Sequence, residues 1–160
     1  MKMRYNWVDY TSAHKEIVEP WIDEEAKRFT GCDEGFDAYY QYWANEPETE
    51  LSRNFWAKLI IADMIPIGIM TIALWDGIFT ISEFIVRPDM RGKGFGASAI
   101  AEVLAESEEI LGVMITDASA VIYPNNIPSQ KAFEKAGFVF HSQHPDGDAW
   151  NYWYKREQEA

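Results

Sequence analysis

Apolar positions filled by Val and aromatic side chains, set among polar ones, predict a first strand over Met3 to Tyr10. Thr11-Ser12 then offers a helix cap. A helical pattern runs from His14 to Phe29 and is interrupted by Pro20, so the helix either kinks there or begins there, with Gly31 as its stop. A second helix is predicted over Asp33 to Asn45, ending before Pro47. Three strands follow as a meander: Phe55 to Ala62, a turn over Asp63-Met64-Ile65-Pro66, Ile67 to Trp75, a hairpin signal at Asp76-Gly77, and Ile78 to Val86. From Ala97 to Leu111 the period lengthens to that of a helix, with Ile100, Val103, Leu104 and Leu111 as its apolar stripe. A fifth strand, Ala118 to Tyr123, leads through Pro124-Asn125-Asn126 to a helix over Ile127 to Ala136, which has Pro128 in its first turn and Gly137 at its end. Phe138 to Ser142 and Trp150 to Arg156 close the chain as a strand pair joined by His144-Pro145-Asp146-Gly147-Asp148. The order predicts a mixed α/β (α+β) fold: a mostly antiparallel sheet of six to seven strands flanked by about four helices.

Composition narrows the function without naming it. The 160 residues, 48% hydrophobic, suit a single domain over 1–160 with a sizeable core. No run of about 18 apolar residues occurs, and the first residues lack the apolar segment of a signal peptide, so a cytoplasmic protein is expected, with no membrane partner. One cysteine, Cys32, and three scattered histidines, His14, His141 and His144, point to no disulfide and no metal site. A net charge of −12 argues against nucleic acid, whose phosphates need a basic surface. It mildly favours a cationic small-molecule partner, although acidity for solubility alone is the stronger explanation. The predicted helix over Asp33 to Asn45 carries Phe36, Tyr39, Tyr40, Tyr42 and Trp43. Most of these rings are expected to be buried against the sheet, the alternative being an aromatic wall for a cation.

The stretch with chemistry in it is Ser82 to Gly96, a strand that runs into a glycine-rich loop ahead of a helix. Gly92, Gly94 and Gly96 let the backbone turn sharply, so that successive N–H groups converge on an anion at a helix N-terminus. Arg91 and Lys93 are expected to add positive charge at the rim. The spacing is not that of a P-loop, since no Ser/Thr follows a Gly-Lys pair, and it is not Gly-x-Gly-x-x-Gly. It is Arg-x-x-Gly-x-Gly, from Arg91 to Gly96, which resembles the acetyl-coenzyme A diphosphate loop of the GNAT acetyltransferase superfamily. A second stretch, Asn126 to Phe138, is a capped helix stopped by glycine and feeding a strand. It resembles the GNAT segment after the fifth strand, with Asn126, Ser129, Phe133 and Gly137-Phe138 in the matching places. The resemblance covers Phe55 to Tyr154.

The resemblance implies the following. Strands four and five splay, and acetyl-CoA lies in the gap as cosubstrate. Its pantetheine arm pairs with Phe84, Ile85 and Val86. Its diphosphate rests on the amides of Arg91, Gly92, Lys93, Gly94, Phe95, Gly96 and Ala97. Asn126, Ser129 and Phe133 approach it from the other side. A primary amine of a small molecule or peptide attacks the thioester directly. The candidate base is Glu83, which in ideal alternation shares a face with Phe79, Ile81 and Ile85, where desolvation would raise its pKa. A cross-sheet ion pair is the equal alternative, and a bulge would flip the parity. Phe133 stands where many GNAT members have Tyr, and Phe donates no proton. Tyr123 is the candidate acid, weighed against a core tyrosine and against water. An N-acetyltransferase is therefore expected, acting alone or as a homodimer. The rival is a coenzyme-binding module of the same fold whose catalysis has lapsed. A structural interaction protein, suggested only by seven tryptophans, comes third.

Overall fold

In a computed structural model of the chain, residues 3–45, 54–75, 77–145 and 147–156 are described. Pro47, Asp76 and Asp146, read above as a helix stop and as parts of two turns, lie outside the described residues. The strands are β1 (Asn6–Asp9), β2 (Phe55–Ala62), β3 (Ile65–Trp75), β4 (Ile78–Val86), β5 (Asp117–Ile122), β6 (Val139–Gln143) and β7 (Trp150–Lys155). They form one sheet in the order β1-β2-β3-β4-β5-β7-β6. Every pairing is antiparallel except β4 with β5. The helices are α1 (Lys15–Val18), α2 (Glu24–Phe29), α3 (Phe36–Ala44), α4 (Phe95–Ala105), α5 (Ser107–Leu111) and α6 (Ile127–Lys135).

The sheet is covered on both faces, which is why β2 and β3 read as near-continuous apolar runs rather than as clean alternation. One face packs Met70, Ile72, Phe79 and Ile81 against Ile100, Val103 and Leu104 of α4, and against Phe133 of α6. The other packs Leu59, Ile69 and Ile85 against Val18, Trp21, Ala26 and Phe36 from the first three helices. Full burial of side chains this size is worth about 1.5–3 kcal/mol each.

Several boundaries differ from the sequence pattern. The segment from His14 to Phe29 is neither one kinked helix nor a helix begun at Pro20. It is a relay: a 3-10 turn at Ser12–His14 capped by Thr11, then α1, then a 3-10 turn at Glu19–Trp21 holding Pro20, then α2 capped by Asp23. Helix α2 ends at Phe29, where Thr30 is already extended, so Gly31 is not its left-handed stop. The helix read over Ala97 to Leu111 starts two residues earlier and breaks at Glu106 into α4 and α5. The break is held by Ser107, whose buried hydroxyl accepts from the Ile115 N–H at 2.8 Å. Between β2 and β3, Asp63 and Met64 both have positive φ, the geometry of a two-residue hairpin turn. No helix among the described residues is long and apolar enough to cross a membrane.

Candidate functional site

Strands β4 and β5 are joined only at their near ends. The register holds for Phe79–Ala118 and Thr80–Ser119, where the two hydroxyls lie 2.9 Å apart, and goes no further. Beyond that seam the strands part. The wedge between them is a cavity of about 660 Å³, walled by Ile81 to Val86 on one side and Ala120 to Tyr123 on the other. Of the candidate catalytic and coenzyme-binding residues, all but Lys93 line it. A smaller hollow of about 460 Å³, between Trp21, Pro66 and Arg87, holds none of them.

The loop at the mouth is built by two left-handed residues, Gly92 at φ +77° and Gly94 at φ +85°. A Cβ at either would meet open space, so the requirement for glycine is conformational rather than steric. Gly94 is the N-cap of α4, and no side chain caps that helix. The amides of Phe95, Gly96 and Ala97 therefore begin α4 without intrahelical acceptors, at the positive end of its dipole. Gly96 differs from the expectation for it. It has ordinary helical geometry, and its absent side chain matters only for packing, 3.6 Å from the Ala132 Cβ of α6.

The two cations also differ from expectation. The Arg91 guanidinium, though at the cavity wall, is taken up by other partners. Its Nε donates to the Val86 carbonyl at 3.0 Å, and its Nη1 donates to Asp23 and to Glu25, both at 2.8 Å. Lys93 does not reach the cavity wall. Charge at the rim comes instead from Lys131 and Lys135 of α6, both exposed and both lining the cavity.

Glu83 sits where β4 is irregular. The register passes from Ile72–Ile81 to Thr71–Glu83, so Ser82 is an extra residue and the parity of the strand inverts. Phe79 and Ile81 face α4, whereas Ile85 faces the first three helices. Glu83 goes with Ile85 and not with Phe79 and Ile81, against the ideal alternation. The bulge is pinned by Thr71, fully buried, whose Oγ1 accepts from the Glu83 N–H at 3.0 Å. The Thr71 and Ser82 side chains act on the Tyr39 phenol, pulling its pKa down against burial. The Glu83 carboxylate accepts from the Gly31 N–H at 3.0 Å. Burial raises its pKa to about 7, with the Gly31 hydrogen bond pulling the other way. No ion pair to Glu83 occurs among the described residues. Burial likewise raises the neighbouring Cys32 thiol to about 12 and the Tyr39 phenol further still, so both stay neutral beside it.

On the α6 side, Asn126 caps the helix, its Oδ1 accepting from the Ser129 N–H at 3.4 Å. Phe133 is a core ring, 5% exposed and edge-on to Phe138 at 5.0 Å. Tyr123 is not a core tyrosine: it lies just past β5, 43% exposed, with Phe29 beside it at 6.3 Å. The aromatic rings of α3 do not line the cavity. Phe36 is fully buried, Tyr39 and Tyr40 pack on the sheet, and Tyr42 is exposed.

Two contributors carry no signal in the sequence. Glu25, Ala26, Phe29 and Thr30 of α2 and its C-terminal end also line the cavity. Buried Gln130 fixes the loop after β5, donating from Nε2 to the carbonyls of Tyr123 at 3.1 Å and Pro124 at 2.6 Å. Among the described residues, no cluster of His, Cys, Asp or Glu has the make-up of a metal site.

Comparison with known proteins agrees with this architecture. The family model described as an acetyltransferase (GNAT) domain matches residues 6–139. No curated protein matches the chain. Among solved structures, AAC(6')-Ib in complex with paromomycin and acetyl-CoA superposes with a TM-score of 0.73 at 18% identity, over 96% of this chain and 94% of that one. A spermidine N-acetyltransferase chimera of Vibrio cholerae SpeG and hSSAT gives a TM-score of 0.74 at 15% identity, over 96% of each chain. An aminoglycoside N(6')-acetyltransferase from Legionella pneumophila gives 0.73 at 17%, over 97% and 94%. At these identities the likeness is one of fold.

Proposed function

Since the chain belongs to the GNAT acetyltransferase family, we propose that it is an N-acetyltransferase, moving an acetyl group from acetyl-CoA to a primary amine by direct attack in a ternary complex. The observation that carries this reading is the wedge. The edge of β4 from Ile81 to Val86 is left unpaired beside a cavity whose mouth holds the uncapped start of α4. An extended pantetheine arm is the kind of ligand that completes an open strand edge. A diphosphate is the kind of group that a helix N-terminus with glycine amides receives. In this reading Phe84, Ile85 and Val86 take the arm. The backbone from Arg91 through Gly92, Lys93, Gly94, Phe95 and Gly96 to Ala97 takes the diphosphate. Asn126, Ser129 and Phe133 form the far wall.

The amine reaches the thioester from the Glu83 side. A carboxylate titrating near 7 accepts its proton, and the amine nitrogen then bonds the carbonyl carbon. The adduct nitrogen gives its surplus proton to water, the C–S bond breaks as the carbonyl re-forms, and the thiolate takes a proton from water or from Tyr123, which regains one from water. Such a base contributes about 10²–10⁴ in rate, and holding both reactants in one cleft supplies much of the rest. The acceptor is a small molecule or peptide, a cationic amine being favoured by the net charge of −12 and by neighbours named for spermidine and aminoglycoside acetylation. A cytoplasmic enzyme belongs to the same reading. So does a homodimer, which light scattering measures.

Phe133, buried and without a hydroxyl, favours a second reading: a coenzyme-binding module that no longer turns over. Calorimetry with acetyl-CoA, followed by thiol release across a panel of amines, separates the two. Binding with release supports the enzyme, and binding without release supports the module. No heat at millimolar acetyl-CoA removes both.

A further inference from the structure

The loop motif ascribes Arg91 to the coenzyme, yet its guanidinium is fully engaged elsewhere. Besides Val86, Asp23 Oδ2 and Glu25, its Nη2 donates to Asp23 Oδ1 at 3.4 Å and to the Trp21 carbonyl at 3.5 Å. All three nitrogens have partners, and two of the partners are carboxylates at the start of α2. The far end of that segment is tied as well, since the Gly31 N–H donates to the Glu83 carboxylate. Helix α2 is only about 9 Å long at 1.5 Å per residue. It crosses the cavity between these two ties, and Glu25, Ala26, Phe29 and Thr30, at helical spacing, turn one face inward. Contact at the Gly31 end is close: a Cβ on Gly31 would lie 3.3 Å from Glu83 Oε1 and 3.6 Å from the Tyr39 ring.

We propose that Arg91 is a positioning residue: by fastening the start of α2 to the glycine loop, its guanidinium holds the other end of α2, at Gly31, against Glu83. A bidentate guanidinium between two carboxylates is a stiff joint. A strap six residues long passes little slack from one end to the other. The surroundings of Glu83, half-buried in the cavity wall, then depend on a contact made at the other end of α2. The other titratable groups facing Glu83 are Tyr39 from α3 and Cys32 from the loop after α2, both neutral at ordinary pH. Asp23 and Glu25 face Arg91. The proposal rests on the acetyl-transfer reading only for what the cavity holds.

The test needs no acceptor. The titration midpoint of Glu83 is followed by NMR of the ¹³C-labelled carboxyl in the wild type, Arg91→Lys and Arg91→Ala. Glu25→Gln is the milder variant that keeps the Asp23 cap and the fold. Hydrogen exchange over residues 24–31 is read on the same samples. The strap predicts at least tenfold faster exchange there. Burial is the larger influence on Glu83 and the Gly31 hydrogen bond, which holds the midpoint down, the smaller, so the strap also predicts a net fall of the midpoint from about 7 toward the ordinary carboxylate range, most in Arg91→Ala and least in Glu25→Gln. A midpoint that stays near 7 in all three variants overturns the proposal. Coenzyme A binding to the wild type by calorimetry is the separate check on the acetyl-transfer reading. Its absence would sink that reading and leave the midpoint to decide the strap.

Discussion

Glu83 owes its character to one extra residue. Ser82 turns the carboxylate from the α4 face to the α2 face, where burial lifts its pKa to about 7. A base must be ionised to act, so kcat/KM should fall as pH drops through about 7. Glu83→Gln should lower it about 10²–10⁴-fold and flatten that limb; an unchanged profile would acquit Glu83. The same group should cost stability where it is charged. Its folded pKa lies above its unfolded value of 4.5, so its contribution is fully present below 4.5 and is lost as pH rises through about 7. Glu83→Gln should therefore unfold at a higher temperature than the wild type at pH 8, and the gap should close at pH 4. The carboxylate was legible as a candidate in the sequence, but its face was not. Alternation assumes a regular ladder, and nothing in Ile81-Ser82-Glu83 announces the slip that Thr71, eleven residues upstream of Ser82, holds in place. Arg91 was misread for a similar reason: its partners Asp23 and Glu25 lie 68 and 66 residues away and belong to no motif.

Among the elements, the glycine loop was the most legible, because positive φ and an uncapped helix start follow from local chemistry alone. Its glycines are not equivalent, which gives a paired prediction. Gly94→Ala forces a left-handed alanine at about 1–2 kcal/mol and distorts the amide cradle, so coenzyme A should bind at least tenfold more weakly by calorimetry. Gly96→Ala places a methyl at ordinary contact distance inside a helix. It should be neutral or stabilising by about 0.5–1 kcal/mol, with binding nearly unchanged. Equal losses in both would contradict the assignment of the cradle to Gly92 and Gly94. Helix α2 was the least legible element. A six-residue helix after a chain of single turns leaves too short a period to read, and its inward face is set by tethers far off in sequence.

At the scale of the whole molecule, the antiparallel meander and the closing strand pair follow from element order and were readable, the splay of strands four and five came with the family resemblance, and the full strand order with its one parallel seam was not legible. Nor was the latch between the first strand and α4. Glu102 on α4 accepts from the backbone N–H groups of Arg4 and Tyr5 and from the Trp7 indole, 2.8 Å away. Removing it strands three donors, so Glu102→Ala should lower unfolding stability by about 2–3 kcal/mol in urea titration while leaving coenzyme A affinity within about twofold. The parallel seam has a thermal consequence. With β4 and β5 sharing only two residue pairs, the sheet is two leaves on a short pin, β1 to β4 on one side and β5 to β7 on the other. In the proposed reading, a cosubstrate between the leaves would act as the missing rungs. The empty protein should therefore melt earlier than the occupied one, by an amount set by occupancy: about 2.7 kcal/mol at a hundredfold excess over Kd. Heating should first free the leaves from one another, with the seam amides of Ala118 and Ser119 exchanging before those at the centre of β3.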